Sequence, residues 1–146
     1  MSSFIKKIKA IAKILAGIVV ASLIGNMVAF PVIIFTGAGI ISLVIGAIII
    51  ITATAGGVYI GGIWARKNIT DTAGAKSVAV WTATIFLIAN IMFIATGGLI
   101  LFLVGGESMN YLIRIIQIVV QSYIIYAITI VTLQQHLNKK TNSEII

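Results

Sequence analysis

Four long apolar runs, separated by short polar segments, dominate the pattern along the chain. They cover residues 14–35, 40–64, 78–104 and 111–133. A helix rises about 1.5 Å per residue, so each run is long enough to cross a hydrocarbon layer of about 30 Å. A helix satisfies its own backbone hydrogen bonds in lipid. The pattern therefore predicts an all-α integral membrane protein with four transmembrane helices in an antiparallel bundle.

Polar segments flank the four runs at both ends of the chain. In residues 1–13 the lysines fall opposite the apolar side chains on a helical wheel. This arrangement predicts a short, basic, amphipathic helix that lies in the headgroup plane. A signal peptide is the alternative interpretation, but Met27 occupies the first small position of the nearest cleavage-like triplet, Met27-Val28-Ala29. We expect residues 134–146 to form a mobile, polar, cytoplasmic tail.

Small residues recur every four positions in the first two runs, a spacing that lets helices approach closely in lipid. The short connection at residues 36–39 favours antiparallel packing of these two helices through their small residues, and homodimerisation is the alternative use. Pro31 lacks a backbone N–H and predicts a kink. The small residues are Gly17, Ala21, Gly25 and Ala29 in the first run, and Ala53, Gly57 and Gly61 in the second, with Ala65 directly after it.

The charges are distributed unevenly between the two sides of the predicted bundle. The chain has ten Lys and Arg residues against three Asp and Glu, which gives a net charge of +7. All of the basic residues except Arg114 fall on the side that holds both termini. This asymmetry predicts a plasma or inner membrane protein with both termini in the cytoplasm. The expected partners of these charges are anionic lipid headgroups and not nucleic acid.

Five polar residues interrupt the apolar runs. Asn26, Asn90 and Gln121 each fall near the middle of a run, while Arg114 and Gln117 share one helical face with Gln121. An amide that faces lipid would lack a hydrogen-bond partner, so we expect these side chains to face inward. One interpretation is a mutual hydrogen-bonded cluster that holds the bundle together. The other is a binding site for a solute or ion near the middle of the membrane.

Arg114 lies about one helical turn inside the border of the fourth run. Its long side chain can reach the headgroups or pair with Glu107, which would make its role structural. Alternatively, Arg114 faces a vestibule that leads past Gln117 to Gln121. It would then be a fixed positive charge that attracts anions.

The residue types that are missing from the runs limit the chemistry. The chain has no cysteine, and no Asp, Glu, His or Lys falls within the four runs. Proton-coupled transport, metal or haem ligation, and acid–base catalysis all depend on such groups. We therefore expect no enzymatic activity, no metal and no cofactor.

Two functional hypotheses follow from this pattern. The first is a non-enzymatic multi-pass protein that serves as a small integral subunit or accessory of a larger membrane assembly, as a homo-oligomer or with other chains. The second is a homo-oligomeric channel, facilitator or holin-like pore for a small neutral or anionic solute. In that second case the path would be lined by Asn26, Asn90, Arg114, Gln117 and Gln121.

Overall fold

The computed structural model describes the backbone of residues 3–37, 39–104 and 109–143, and the side chains of residues 3–37, 39–95 and 112–138. Four helices make up nearly all of the described chain, and each is long and apolar enough to cross a membrane. The predicted all-α membrane bundle of four helices is confirmed. The helices are α1 (Ser3–Phe35), α2 (Ile40–Ala65), α3 (Thr72–Val104) and α4 (Met109–Ser143), with a 3-10 turn at Arg66–Asn68.

The N-terminal residues do not form a separate helix, which differs from our expectation for residues 1–13. From Ser3 onward they are continuous with α1, because no proline or glycine precedes Gly17. Ala10 and Ile14 are completely buried. Lys13, which we placed on a face exposed to headgroups, instead donates a hydrogen bond of 2.8 Å from Nζ to Oδ1 of Asn68. This segment therefore packs on the bundle.

Helix α4 continues beyond the predicted end of the fourth run. It extends to Ser143, so residues 134–143 continue the helix where we expected a mobile tail, and residues 144–146 lie outside the described chain. No glycine or proline follows Leu133 to end the helix. Leu137 also packs against the buried core, which gives the extension an apolar contact.

Helix α3 begins at Thr72, six residues before the predicted start of the third run at residue 78. Asp71 is the N-cap, because its side chain accepts a hydrogen bond from the backbone N–H of Gly74. Pro31 lies inside α1, which continues as far as Phe35.

The four helices form a ring in the order α1, α2, α4, α3. Within the described residues, α1 contacts α2 and α3 but not α4, and α2 does not contact α3. The connection between α2 and α3 therefore crosses the diagonal of the bundle. We call the end that contains this connection and the start of α1 the basic end. The opposite end, which contains the turn between α1 and α2, is the far end.

The closest contact in the bundle joins α1 and α2 through their small residues. A Cβ atom added at Gly17 would collide with the carbonyl oxygen of Gly57 and lie 3.2 Å from Cα of Gly61. A Cβ added at Gly25 would lie 2.8 Å from Cβ of Ala53. As the contact moves toward the end of α1, from Gly17 to Gly25, it moves toward the start of α2, from Gly57 to Ala53. The two helices are therefore antiparallel. Within one chain, these glycines therefore already pack between α1 and α2, which is the first of the two uses that we considered for the small residues.

The buried core lies in the half of the bundle near the basic end. Its side chains come from all four helices and from the connection between α2 and α3, and each is at most 5% exposed. The core comprises Ala10, Ile14, Ile18, Val58, Ala65, Ile69, Ala75, Val78, Ile125 and Leu133. The open spaces described next lie beyond this core, toward the far end.

Candidate functional site

All five predicted polar residues border one cavity of about 250 Å³, which we call the polar cavity. All four helices contribute to its wall, so residues that are distant in sequence meet there. A space of this size has room for several water molecules, each of which occupies about 30 Å³ in the liquid. The cavity is lined by Ser22, Asn26, Ile50, Phe86, Asn90, Phe93, Ile94, Arg114, Gln117, Ile118 and Gln121.

Gln121 connects two helices at the base of the polar cavity. Its side chain is 3% exposed, and Nε2 donates a hydrogen bond of 2.9 Å to Oγ1 of Thr54 on α2. The hydroxyl of Thr54 in turn donates a hydrogen bond of 2.8 Å to the carbonyl of Ile50. The buried amide of Gln121 is therefore supplied with a partner from another helix, as burial of a polar group requires.

The two asparagines bond to their own helices. Nδ2 of Asn26 donates to the carbonyl of Ser22 at 2.7 Å, and Nδ2 of Asn90 donates to the carbonyl of Phe86 at 2.9 Å. These hydrogen bonds differ from the mutual amide cluster that was one of the two interpretations of the sequence. A short side chain on a helix reaches the carbonyl of the preceding turn more easily than a residue across the bundle. The asparagines and Gln121 thus share a cavity without bonding to one another.

Gln117 and Arg114 extend the polar wall toward the far end. The side chain of Gln117 is 7% exposed, whereas that of Arg114 is exposed. Glu107, the alternative partner of Arg114, lies outside the described residues. Arg114 follows the start of α4 by about 7.5 Å, at about 1.5 Å per residue, and so lies closer to the far end than Gln121 does.

A larger space of about 640 Å³ adjoins the polar cavity, and we call it the apolar groove. Apolar side chains of α1, α2 and α4 form most of its wall, and it shares Asn26, Ile50, Arg114 and Gln117 with the polar cavity. Its remaining residues are Leu23, Met27, Ala29, Phe30, Ile33, Leu43, Gly46, Ala47 and Ile113. Among the lining residues that the two spaces share, Asn26 on α1 and Arg114 on α4 are exposed. We call the exposed rim that contains these two residues the lateral opening.

The buried core separates these spaces from the basic end. Ile18, Val58 and Ile125 are at most 3% exposed and belong to the core that begins beneath Gln121. Thr82 in the same region is completely buried and donates a hydrogen bond to the carbonyl of Val78. In the described part of the chain, the polar cavity is therefore closed toward the basic end.

Sequence reasoning did not identify Thr54 as a partner of Gln121. Both Thr52 and Thr54 lie in the second apolar run, and each donates to the carbonyl four residues earlier. Only Thr54 is buried, and the sequence carries no signal that distinguishes the two. Ser122, which follows Gln121 in the sequence, donates to the carbonyl of Ile118 and is not among the described residues that line the polar cavity.

The polar cavity combines hydrogen-bonding groups with one fixed charge. Its described lining offers amide donors and acceptors, one hydroxyl and the fixed positive charge of Arg114. No Asp, Glu, His or Lys is among those lining residues. Comparisons with known protein families, curated proteins and solved structures find no match to this chain, so its function must be argued from its own residues.

Proposed function

We propose that this protein is a non-enzymatic, multi-pass integral subunit or accessory of a larger membrane assembly, and that it acts by holding a membrane-embedded molecule at the lateral opening. The observation that carries the proposal is the exposure of Asn26 and Arg114 at this opening. Both residues belong to transmembrane helices, where water is scarce and an uncovered polar group is costly. An occupant that covers the opening removes this cost.

The packing of the bundle favours a holding role over conduction. The core beneath Gln121 blocks a route along the axis of a single chain, as described above. Gln117 and Gln121 are buried within the chain and do not lie on an outer surface that several copies would need for a shared pore. The homo-oligomeric channel, facilitator or holin-like pore therefore remains the weaker hypothesis.

The distribution of charge supports an orientation for this function. Lys6, Lys7, Lys13, Arg66 and Lys76 all lie near the basic end. We propose that this end faces the cytoplasm of a plasma or inner membrane and contacts anionic headgroups. The lateral opening would then belong to the outer half of the bilayer.

A photocrosslinking residue placed at the lateral opening tests the proposal. Met27 borders the apolar groove and is 76% exposed, whereas Ile60 is 67% exposed and lines neither space. In native membranes, we expect Met27→p-benzoylphenylalanine to give an adduct of one defined mass. The matched variant at Ile60 should give a broad mixture of bulk lipid adducts.

Two results would contradict the proposal. One is an adduct pattern at Met27 that matches the pattern at Ile60, because the opening would then hold nothing in particular. The other is solute flux by the purified wild type in reconstituted vesicles, which would favour the pore hypothesis.

A further inference from the structure

We propose that the occupant of the lateral opening is an anionic amphiphile with a phosphate headgroup. The headgroup binds at Arg114, and the hydrocarbon chain lies in the apolar groove. This inference rests on the proposed function, because it names what the opening holds. It is carried by two adjoining spaces of opposite polarity that share one charged edge.

The shapes and walls of the two spaces fit a molecule with a polar end and an apolar end. The polar cavity presents Asn90, Gln117 and Gln121, whereas the larger groove is lined mainly by aliphatic and aromatic side chains. A volume of about 640 Å³ is in the usual range for a bound small molecule, roughly 300 to 1,000 Å³. A wholly apolar ligand would leave the charge of Arg114 without a counter-charge, and a wholly polar ligand would leave the groove empty.

Charge complementarity determines the sign of the headgroup. The guanidinium of Arg114 has a planar fork of donors that matches the oxygens of a phosphate. The described residues that line the two spaces include no carboxylate, so a cationic headgroup would find no counter-charge. The amide of Gln117, one turn deeper than Arg114 on the same face of α4, provides a further donor and acceptor for the ester oxygens between the phosphate and the hydrocarbon chain.

The edges of the groove favour a flexible chain over a transmembrane helix of another protein. Helices pack closely in lipid through small residues. The small residues of α1 and α2 already contact each other, as Gly17 does with Gly57. The groove wall also contains the small residues Ala29, Gly46 and Ala47, of which Gly46 packs against Ile33 of α1, and the large side chains of Met27, Phe30 and Leu43. Such large side chains suit a hydrocarbon chain that can adapt to an irregular wall.

The position of Arg114 suits a headgroup that enters sideways from the bilayer. It lies about one to two turns from the start of α4, which is within reach of the headgroup layer for a long side chain. The hydrocarbon chain can then extend along the groove toward Leu23 and Ile50, near the middle of the bundle. This direction matches that of a lipid in the same half of the bilayer.

Native mass spectrometry of the purified, detergent-solubilised protein tests the inference. The probes are phosphatidylglycerol, phosphatidylcholine, diacylglycerol and inorganic phosphate. We expect the wild type to retain phosphatidylglycerol at least about tenfold better than the other lipids, and Arg114→Gln to lose this preference. Lys67→Gln removes one positive charge from the exposed connection at the basic end, outside both spaces. We expect this variant to keep the preference for phosphatidylglycerol.

A second variant tests the position of the hydrocarbon chain. Ala47→Trp places a large side chain in the apolar groove and should reduce retention of phosphatidylglycerol by a similar factor while Arg114 is intact. Thermal unfolding of each variant verifies that it is folded. If Arg114→Gln does not fold, Arg114→Lys replaces it, and we expect a smaller but measurable loss because the charge remains without the planar fork.

Several outcomes would overturn the inference. Equal retention of diacylglycerol and phosphatidylglycerol would show that the charge of the headgroup is irrelevant. Loss of lipid binding in Lys67→Gln, but not in Arg114→Gln, would place the lipid site at the basic end. Full competition by inorganic phosphate would identify a free anion as the ligand. A protein segment in the Met27 adduct would exclude a lipid but leave the proposed function intact, whereas the absence of any defined adduct would remove both.

Discussion

The side-chain amide of Gln121 donates a hydrogen bond of 2.9 Å to Oγ1 of Thr54, and so connects α4 to α2. The two residues are separated by 67 positions in the sequence and are both buried. This contact lies at the boundary between the polar cavity and the closed core. Substitutions at this contact therefore test whether the polar residues stabilise the bundle, separately from whether they bind a ligand.

We expect Gln121→Leu to destabilise the folded protein in detergent by about 0.6 to 1.7 kcal/mol, which spans the average and the largest value measured for hydrogen bonds between transmembrane helices. A double-mutant cycle with Thr54→Val should show a coupling free energy of about 0.5 kcal/mol or more. The control cycle combines Gln117→Leu with Thr54→Val, which share no hydrogen bond in the described structure. Additive effects in both cycles would contradict the assigned contact.

The contact between Gly17 and Gly57 predicts a steric effect. Gly17→Val should lower the free energy of unfolding by about 1 to 3 kcal/mol, because its side chain would collide with the backbone of α2. Gly56→Val is the matched control, since a Cβ at Gly56 meets no atom within 4 Å. Steric trapping or denaturation in mixed micelles measures both. Similar losses in the two variants would show that the substitution itself, and not the contact, is responsible.

The extension of α4 beyond Leu133 predicts a stabilising role for Leu137. We expect Leu137→Ala to reduce stability by about 1 to 2 kcal/mol, less than for a fully buried leucine, because Leu137 is only partly buried against the core. Gln135→Ala changes an exposed neighbour on the same helix and should have little effect. A Leu137→Ala variant as stable as the wild type would mean that this contact contributes nothing.

The proposed orientation predicts different accessibility at the two ends of the bundle. A cysteine introduced at Thr72, near the basic end, should be protected from membrane-impermeant thiol reagents in intact cells. A cysteine at Gly39, in the turn at the far end, should react, and a Cβ there meets no atom within 4 Å. The chain contains no native cysteine, so any labelling reports the introduced residue. The reverse pattern would show that the basic end faces the outside of the cell.

Several features of the fold were predictable because they depend on local composition. The second run was placed at residues 40–64, and α2 extends over Ile40–Ala65. Helix ends were less predictable where polar residues that are compatible with a helix extend it beyond its apolar segment, as they do after Leu133. Asp71 illustrates the same point at the start of α3, because a capping residue extended the helix beyond its apolar segment.

The arrangement of the site was only partly predictable. The cost of exposing an amide to lipid predicted that Asn26, Asn90 and Gln121 would face inward. All three border a common cavity, but only Gln121 is buried, whereas Asn90 is half-buried and Asn26 is exposed. Their hydrogen bonds were not predictable. Asn26 and Asn90 bond within their own helices, while Gln121 bonds to a threonine that the sequence did not distinguish from its neighbours.

The sequence by itself determined the number of helices and the small residues available for close packing. The length of an apolar segment and the size of a residue are local properties that do not depend on distant parts of the chain. Only the tertiary structure decided that α2 and α3 are diagonal and that an apolar groove adjoins the polar residues. These features depend on which side chains of different helices fill the same space. That choice is made by packing among all four helices together.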